Sequence, residues 1–109
     1  MLTWEEFEKV DIRVGTILEV NNFPKARIPT YQLTIDFGEF GVKKSSAQIT
    51  KLYDQSSLVG RQVIGVINFP PKQIANFHSE CLVLGVIGAD KEITLLQPER
   101  QVHNGLRIG

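Results

Sequence analysis

The hydrophobic period changes at Asp11, and that change limits the folds open to this chain more than any other feature. From there Ile12, Val14, Thr16, Leu18 and Val20 point one way, and Arg13, Gly15, Ile17 and Glu19 the other. Alternation sustained this long reads as a half-buried strand. Tyr31, Leu33, Ile35 and Phe37 repeat the pattern against Gln32, Thr34 and Asp36, ended by Gly38. A turn at Glu39-Phe40-Gly41 leads to a third strand from about Val42 to Ser46. Gln62 to Phe69 and Glu80 to Ile87 are apolar β-rich runs, expected to be buried on both faces or nearly so. Gly65 and Gly85 lie inside them, where a small barrel needs curvature or close backbone approach. Glu92 to Gln97 makes a final strand, and Pro98 to Gly109 a tail with a turn at Asn104-Gly105.

Helix is scarce. Thr3-Trp4-Glu5-Glu6 forms a capping box, with Leu2 and Phe7 at the staple positions, predicting a short helix from Trp4 to about Lys9. Gln48 to Tyr53 has room for one or two helical turns. Asn21 to Pro29 is a loop by its turn residues. Six strand-like segments with so little helix predict an all-β, five-stranded Greek-key barrel with an extra C-terminal strand or tail pairing. The 109 residues show no internal repeat and no composition break, so one domain spanning 1–109 is expected.

Composition narrows the function classes. The 42% hydrophobic content is too high for intrinsic disorder, and no stretch is long and apolar enough to insert in a membrane. The acidic start (Glu5, Glu6, Glu8) is unlike a secretory leader, and a single cysteine fits a reducing compartment, so a cytoplasmic protein is expected. Net charge is zero, yet residues 12–78 carry eight Lys and Arg against four Asp and Glu. That segment can present a positive face to an anionic partner, though ordinary solvated surfaces show similar imbalances. Catalytic parts are missing. His78 and Cys81 lack the further ligands that zinc needs, and Cys81 opens an apolar run as a small buried hydrophobe would. No phosphate-cradling loop or nucleophile elbow appears, so no enzyme, cofactor or metal is expected.

The stretch Asn68-Phe69-Pro70-Pro71-Lys72-Gln73-Ile74-Ala75-Asn76-Phe77-His78-Ser79-Glu80 interleaves a cation, amides and aromatics. A surface that stacks and hydrogen-bonds a ligand needs those groups. An ordinary inter-strand loop, with its phenylalanines folded inward as lids, accounts for the same residues.

Asp11-Ile12-Arg13-Val14-Gly15, Pro24-Lys25-Ala26-Arg27, Gly60-Arg61-Gln62-Val63, Asn68 to Ile74 and Ser79-Glu80 together resemble the tRNA-binding domain family. Within it, Lys43-Lys44-Ser45-Ser46-Ala47-Gln48-Ile49-Thr50 and Ser79 to Gly85 are most similar to the CsaA-type, export-associated chaperone branch. The likeness runs from about Phe7 to the C-terminus. It implies an OB-fold homodimer whose N-terminal helix and C-terminal tail, with Trp4, Phe7, Leu106 and Ile108, help to build the interface. It also implies a ligand surface of Asn68, Lys72, Ser79 and Glu80, with Lys44, Ser46 and Gln48 nearby. Phe69 or Phe77 would stack a base or receive an apolar side chain. Ser79-Glu80 could equally cap the loop where it rejoins the strand. Arg13 opens the family signature and could equally be a salt-bridge partner for Glu19.

The chain departs from the tRNA-binding members after Ser79-Glu80, where Cys81-Leu82 replaces their frequent methionine. Lys72 is the only lysine of its loop, and Ala75-Asn76-Phe77 replaces a more basic, glycine-containing stretch. Fewer phosphate-pairing charges favour unfolded preproteins, passed on to an export translocase, as the ligand. A free-standing module that recognises tRNA by shape is the alternative.

Overall fold

The structure, a computed structural model, describes all 109 residues. The capping box forms as expected: Thr3 Oγ1 accepts from the Glu6 amide at 3.1 Å, and Glu6 Oε1 accepts from the Thr3 amide at 3.1 Å. The helix that follows, α1, is Trp4–Glu8. Strands β1 (Ile12–Asn22), β2 (Tyr31–Asp36) and β3 (Val42–Ala47) form an antiparallel meander. A 3₁₀ turn at Gly38–Phe40 makes the second bend. After a second short helix, α2 (Gln55–Leu58), β4 (Gln62–Val66) crosses over to pair with the far side of β1. Two hairpins complete the chain. The first joins β5 (Lys72–Ile74) to β6 (Phe77–Ser79), and the second joins β8 (Gly85–Ile87) to β9 (Ile93–Leu95). Between them, β7 (Leu82–Val83) pairs with β4. The sheet order β3-β2-β1-β4-β7, curled into a nearly closed antiparallel barrel, is the predicted five-stranded OB-fold.

β1 serves two cores on its two faces. Ile17 and Val20 look into the barrel with Leu33, Ile35, Phe37 and Val63. Ile12 and Val14 face outward and form a second cluster with Ile64 and Val66. The switch is a bulge between Ile17 and Glu19 in the pairing with β2. One extra residue reverses the alternation, so Val20, which shares the parity of the outward Ile12 and Val14, joins Ile17 inside the barrel. Leu18 at the bulge, expected on the same side as Val20, is half exposed. The outer cluster is covered by Phe7 of α1 and by Val102 and Ile108 of the tail. All five residues of β4 are therefore buried, as expected of an apolar run covered on both faces. The tail supplies the extra pairing: Gly105 donates to Val14 O at 2.7 Å, Val14 to Leu106 O at 3.0 Å, and Ile108 to Ile12 O at 2.9 Å.

Phe37 fills the barrel because two glycines make room for it. A Cβ on Gly15 would lie 2.8 Å from its ring, and one on Gly65 3.0 Å. The close approach anticipated at Gly65 is thus to an aromatic ring.

Three expectations need correction. No helix forms at 48–53; the helical turn begins after Asp54, whose carboxylate accepts from the Ser57 amide at 2.9 Å and so supplies the cap. Those bonds hold the Asp54 carboxyl below its usual range. The run from Glu80 to Ile87 is not one buried strand but two short ones kinked at Leu84, with Ile87 79% exposed. Residues 72–79, read as loop, form a hairpin whose turn places Ala75 at φ 54°.

Candidate functional site

The barrel is closed between β3 and residues 79–81, mostly by side chains. The Glu80 amide donates to Lys44 O at 2.7 Å, and Glu80 Oε1 accepts from the Lys44 amide at 2.9 Å. Ser79 Oγ accepts from the Ser46 amide at 3.2 Å, and Ser45 Oγ donates to Cys81 O at 2.9 Å. Ser79, Glu80, Lys44 and Ser46 therefore meet at one seam.

Beyond the seam β3 and β7 diverge, and the gap is a groove of about 490 Å³. Residues 46–49 form one wall and residues 82–85 with Ile87 the other; Lys91 and Ile93 also line it. A smaller hollow of about 300 Å³ lies between Phe69, Lys72, Ser79 and Leu82, with Cys81 also in its lining. Leu82 lines both, so the two hollows meet there. Ser46 and Gln48 stand in the larger, Phe69, Lys72 and Ser79 in the smaller. Lys44, Lys72 and Lys91 are exposed, and neither of the two ion pairs involves them. Leu82, Ile87 and Lys91, which sequence reasoning did not single out, complete the walls. The signal for Leu82 and Ile87 was only that the run 80–87 is too apolar for the solvent it faces, and Lys91 gave none.

Three expected residues stand elsewhere. Asn68 Oδ1 accepts from the Asp11 amide at 2.9 Å and its Nδ2 donates to Lys9 O at 2.7 Å, tying the end of α1 to the exit of β4. Arg13 pairs with Asp11 at 2.6 Å rather than with Glu19, donates to Gly105 O at 3.2 Å, and lies 4.2 Å over the Phe40 ring centroid. Its guanidinium fastens the tail to the barrel. Phe77 is buried, its ring centroid 5.4 Å from that of Phe23, which leaves Phe69, 54% exposed, as the open aromatic.

Cys81 is 6% exposed, and burial pushes its thiol from 9.0 up to about 11. The native thiol should stay unlabelled by a disulfide reagent at pH 8 under conditions that label the denatured chain at once. In the pH sense, the unfolded chain ionises first, so this residue lowers stability as pH rises from 9.0 toward about 11 and has no such effect below. A Cys81→Ala melt series across that window should lose that part of the slope. No group of three or more His, Cys, Asp or Glu side chains gathers where it could hold a metal. No helix is long and apolar enough to cross a membrane.

Apart from the groove and the smaller hollow, Leu2, Thr3, Trp4, Phe7 and Gly109 line a hollow of about 690 Å³. Phe7 and Ile108 seal the outer cluster of their own chain, whereas Trp4 is 83% exposed and Leu106 50%.

A barrel with this seam and this tail defines a class, and residues 12–107 match the family described as "Putative tRNA binding domain". The chain belongs to that family. Within it, the chain is similar over its full length to two solved CsaA chaperones. That from Bacillus anthracis is 47% identical with a TM-score of 0.96, covering 100% of this chain and 99% of the other. That from Picrophilus torridus is 49% identical with a TM-score of 0.94, covering 100% of both. The methionine–tRNA ligase of Porphyromonas gingivalis is 35% identical over 98% of this chain, which spans only 15% of that enzyme's length.

Proposed function

We propose that this protein is a non-catalytic, cytoplasmic chaperone of the CsaA type that holds unfolded preproteins for an export translocase. The observation that carries the reading is the pair of joined grooves, walled by Leu82, Ile87, Ile93 and the open Phe69, with lysine as the only charged side chain in their linings. An apolar cleft with a few polar groups suits apolar segments of unfolded chain better than a string of phosphates. The likeness to two CsaA chaperones at nearly half identity supports the same choice. The ligand site is assigned to Lys44, Ser46, Gln48, Phe69, Lys72, Ser79 and Glu80; Arg13, Asn68 and Phe77 support the surfaces around it. The exposed Trp4, Leu2 and Leu106 require cover, which a second copy supplies in a twofold homodimer. Two grooves on one dimer would gain avidity for a single extended chain.

The second reading is a free-standing tRNA-binding module. It is favoured by the family match and by the unpaired Lys44, Lys72 and Lys91. Fluorescence anisotropy of labelled tRNA across a salt series, with an unfolded polypeptide as competitor, separates the two. Neutralising about four to six phosphates per dimer would give log K against log salt a slope of roughly −3.5 to −5.5. The chaperone reading expects weak tRNA binding that vanishes by physiological salt, alongside salt-tolerant polypeptide binding. Tight, steeply salt-dependent tRNA binding that polypeptide does not displace would overturn it. In either case Lys72→Ala should weaken the bound ligand roughly tenfold, or about 1.4 kcal/mol; unchanged affinity for both ligands would remove the assigned site.

A further inference from the structure

We propose that the polypeptide in the larger groove is held as an added β-strand, by main-chain hydrogen bonds to strand edges that the fold leaves open. The inference rests on the polypeptide reading above and specifies how such a ligand is recognised. β3 and β7 are the two terminal strands of the five-stranded sheet, and β8 pairs with β9 alone. All three line the groove. The groove opens where the seam between β3 and residues 79–81 ends.

The direction of the free groups follows from the bonds already made. On the β8–β9 hairpin, Leu96 donates to Leu84 O at 3.2 Å and Gly88 donates to Glu92 O at 2.8 Å. The Leu84 carbonyl and the Gly88 amide thus face β9, while the Leu84 amide donates to Ile64 O at 2.8 Å, and the alternation turns the main chain of Gly85 and Ile87 away from β9. On β3, the outward edge is revealed by the seam. Lys44 and Ser46 present amides that Glu80 and Ser79 satisfy with side-chain oxygens. The next residue of that parity is Gln48, past the end of the seam and in the groove wall.

Edges of this kind invite pairing, and proteins commonly blunt them with charge, proline or a covering segment. Here Lys91 is the only charged residue in the groove lining, and no proline lies in it. The exposed Leu82 and Ile87 and the half-buried Ile93 offer apolar surface to alternate side chains of an extended ligand. Recognition through the main chain with apolar pockets at alternate positions would accept many sequences, because each peptide unit offers the same donors and acceptors.

The test uses the intact protein and a ten-residue peptide of alternating valine and threonine. Two further versions carry N-methyl groups on every second amide, one in each register, which deletes donors while leaving the side chains in place. The unmodified peptide should bind, and at least one methylated register should bind tenfold or more weakly. Hydrogen exchange at the amides of Gln48, Gly85 and Ile87 should slow on adding the unmodified peptide. Equal affinity for all three peptides would overturn strand pairing and leave the chaperone reading standing on side-chain contacts. Failure of the unmodified peptide to bind, with protection of these amides by tRNA instead, would overturn the polypeptide reading and this inference with it.

Discussion

A chain ending at Gln101 should lose its cooperative melting transition. Deleting residues 102–109 removes the cover from Ile12, Val14, Ile64 and Val66, which are now 2–9% exposed. At about 1.5–3 kcal/mol per fully buried apolar side chain, uncovering them forfeits several kcal/mol. A domain this size holds only about 5–15 kcal/mol in all. The polar loss adds to it. Gln62, 6% exposed, donates to Val102 O at 2.7 Å and accepts from the Val102 amide at 3.1 Å, so truncation strands a buried amide. Thr16 and Arg13 lose Asn104 Oδ1 and Gly105 O as well. Calorimetry decides the matter. A sharp transition retained within a few degrees of the full-length protein would mean that the tail is accessory and that Phe7 of α1 and Leu84 cover the outer cluster well enough without it.

The second large effect is expected at Phe37→Ala. This ring is fully buried and stands over Gly15 and Gly65. Truncating a buried phenylalanine costs about 3–5 kcal/mol, with the higher values where neighbours cannot collapse into the void. Two glycines beneath the ring have no side chain with which to fill it, which places this site toward the upper end. Urea melts should show the lower midpoint with an unchanged slope, and Tm should fall by about 15–30 °C. A partial restoration in the double variant Phe37→Leu with Gly65→Ala, relative to Phe37→Leu alone, would show that ring and glycine form one packing unit. A loss below about 1 kcal/mol for Phe37→Ala would contradict the burial described.

Local signals were legible in the sequence wherever the partners lie a few residues apart. Thr3 and Glu6 announce their capping box, and the alternations of β1 and β2 announce a barrel. The bulge after Ile17 was not legible, because one extra residue leaves no mark in composition yet moves Val20 from the face of Ile12 and Val14 to that of Ile17. The β5–β6 hairpin was hidden because its turn sets Ala75, rather than a glycine, at positive φ. Of the candidate site, the residues near the seam and in the groove walls followed from the family resemblance. Asn68 and Arg13 carried the same resemblance but spend their hydrogen bonds on Lys9, Asp11 and Gly105. Nothing within a short window could tell a side chain committed to a partner 92 residues away, as Arg13 is to Gly105, from one free for a ligand. Ile87 and Leu82 were missed for a related reason: an apolar run reads as core until the neighbouring wall is found to be absent.

The antiparallel joining of Gly105 and Ile108 to Val14 and Ile12 of β1 also bears on the order in which the fold can form during synthesis. Synthesis runs from the N-terminus at about 5–20 residues per second. β1 therefore waits for a segment made much later, and its outward face stays apolar and open until that segment has left the ribosome.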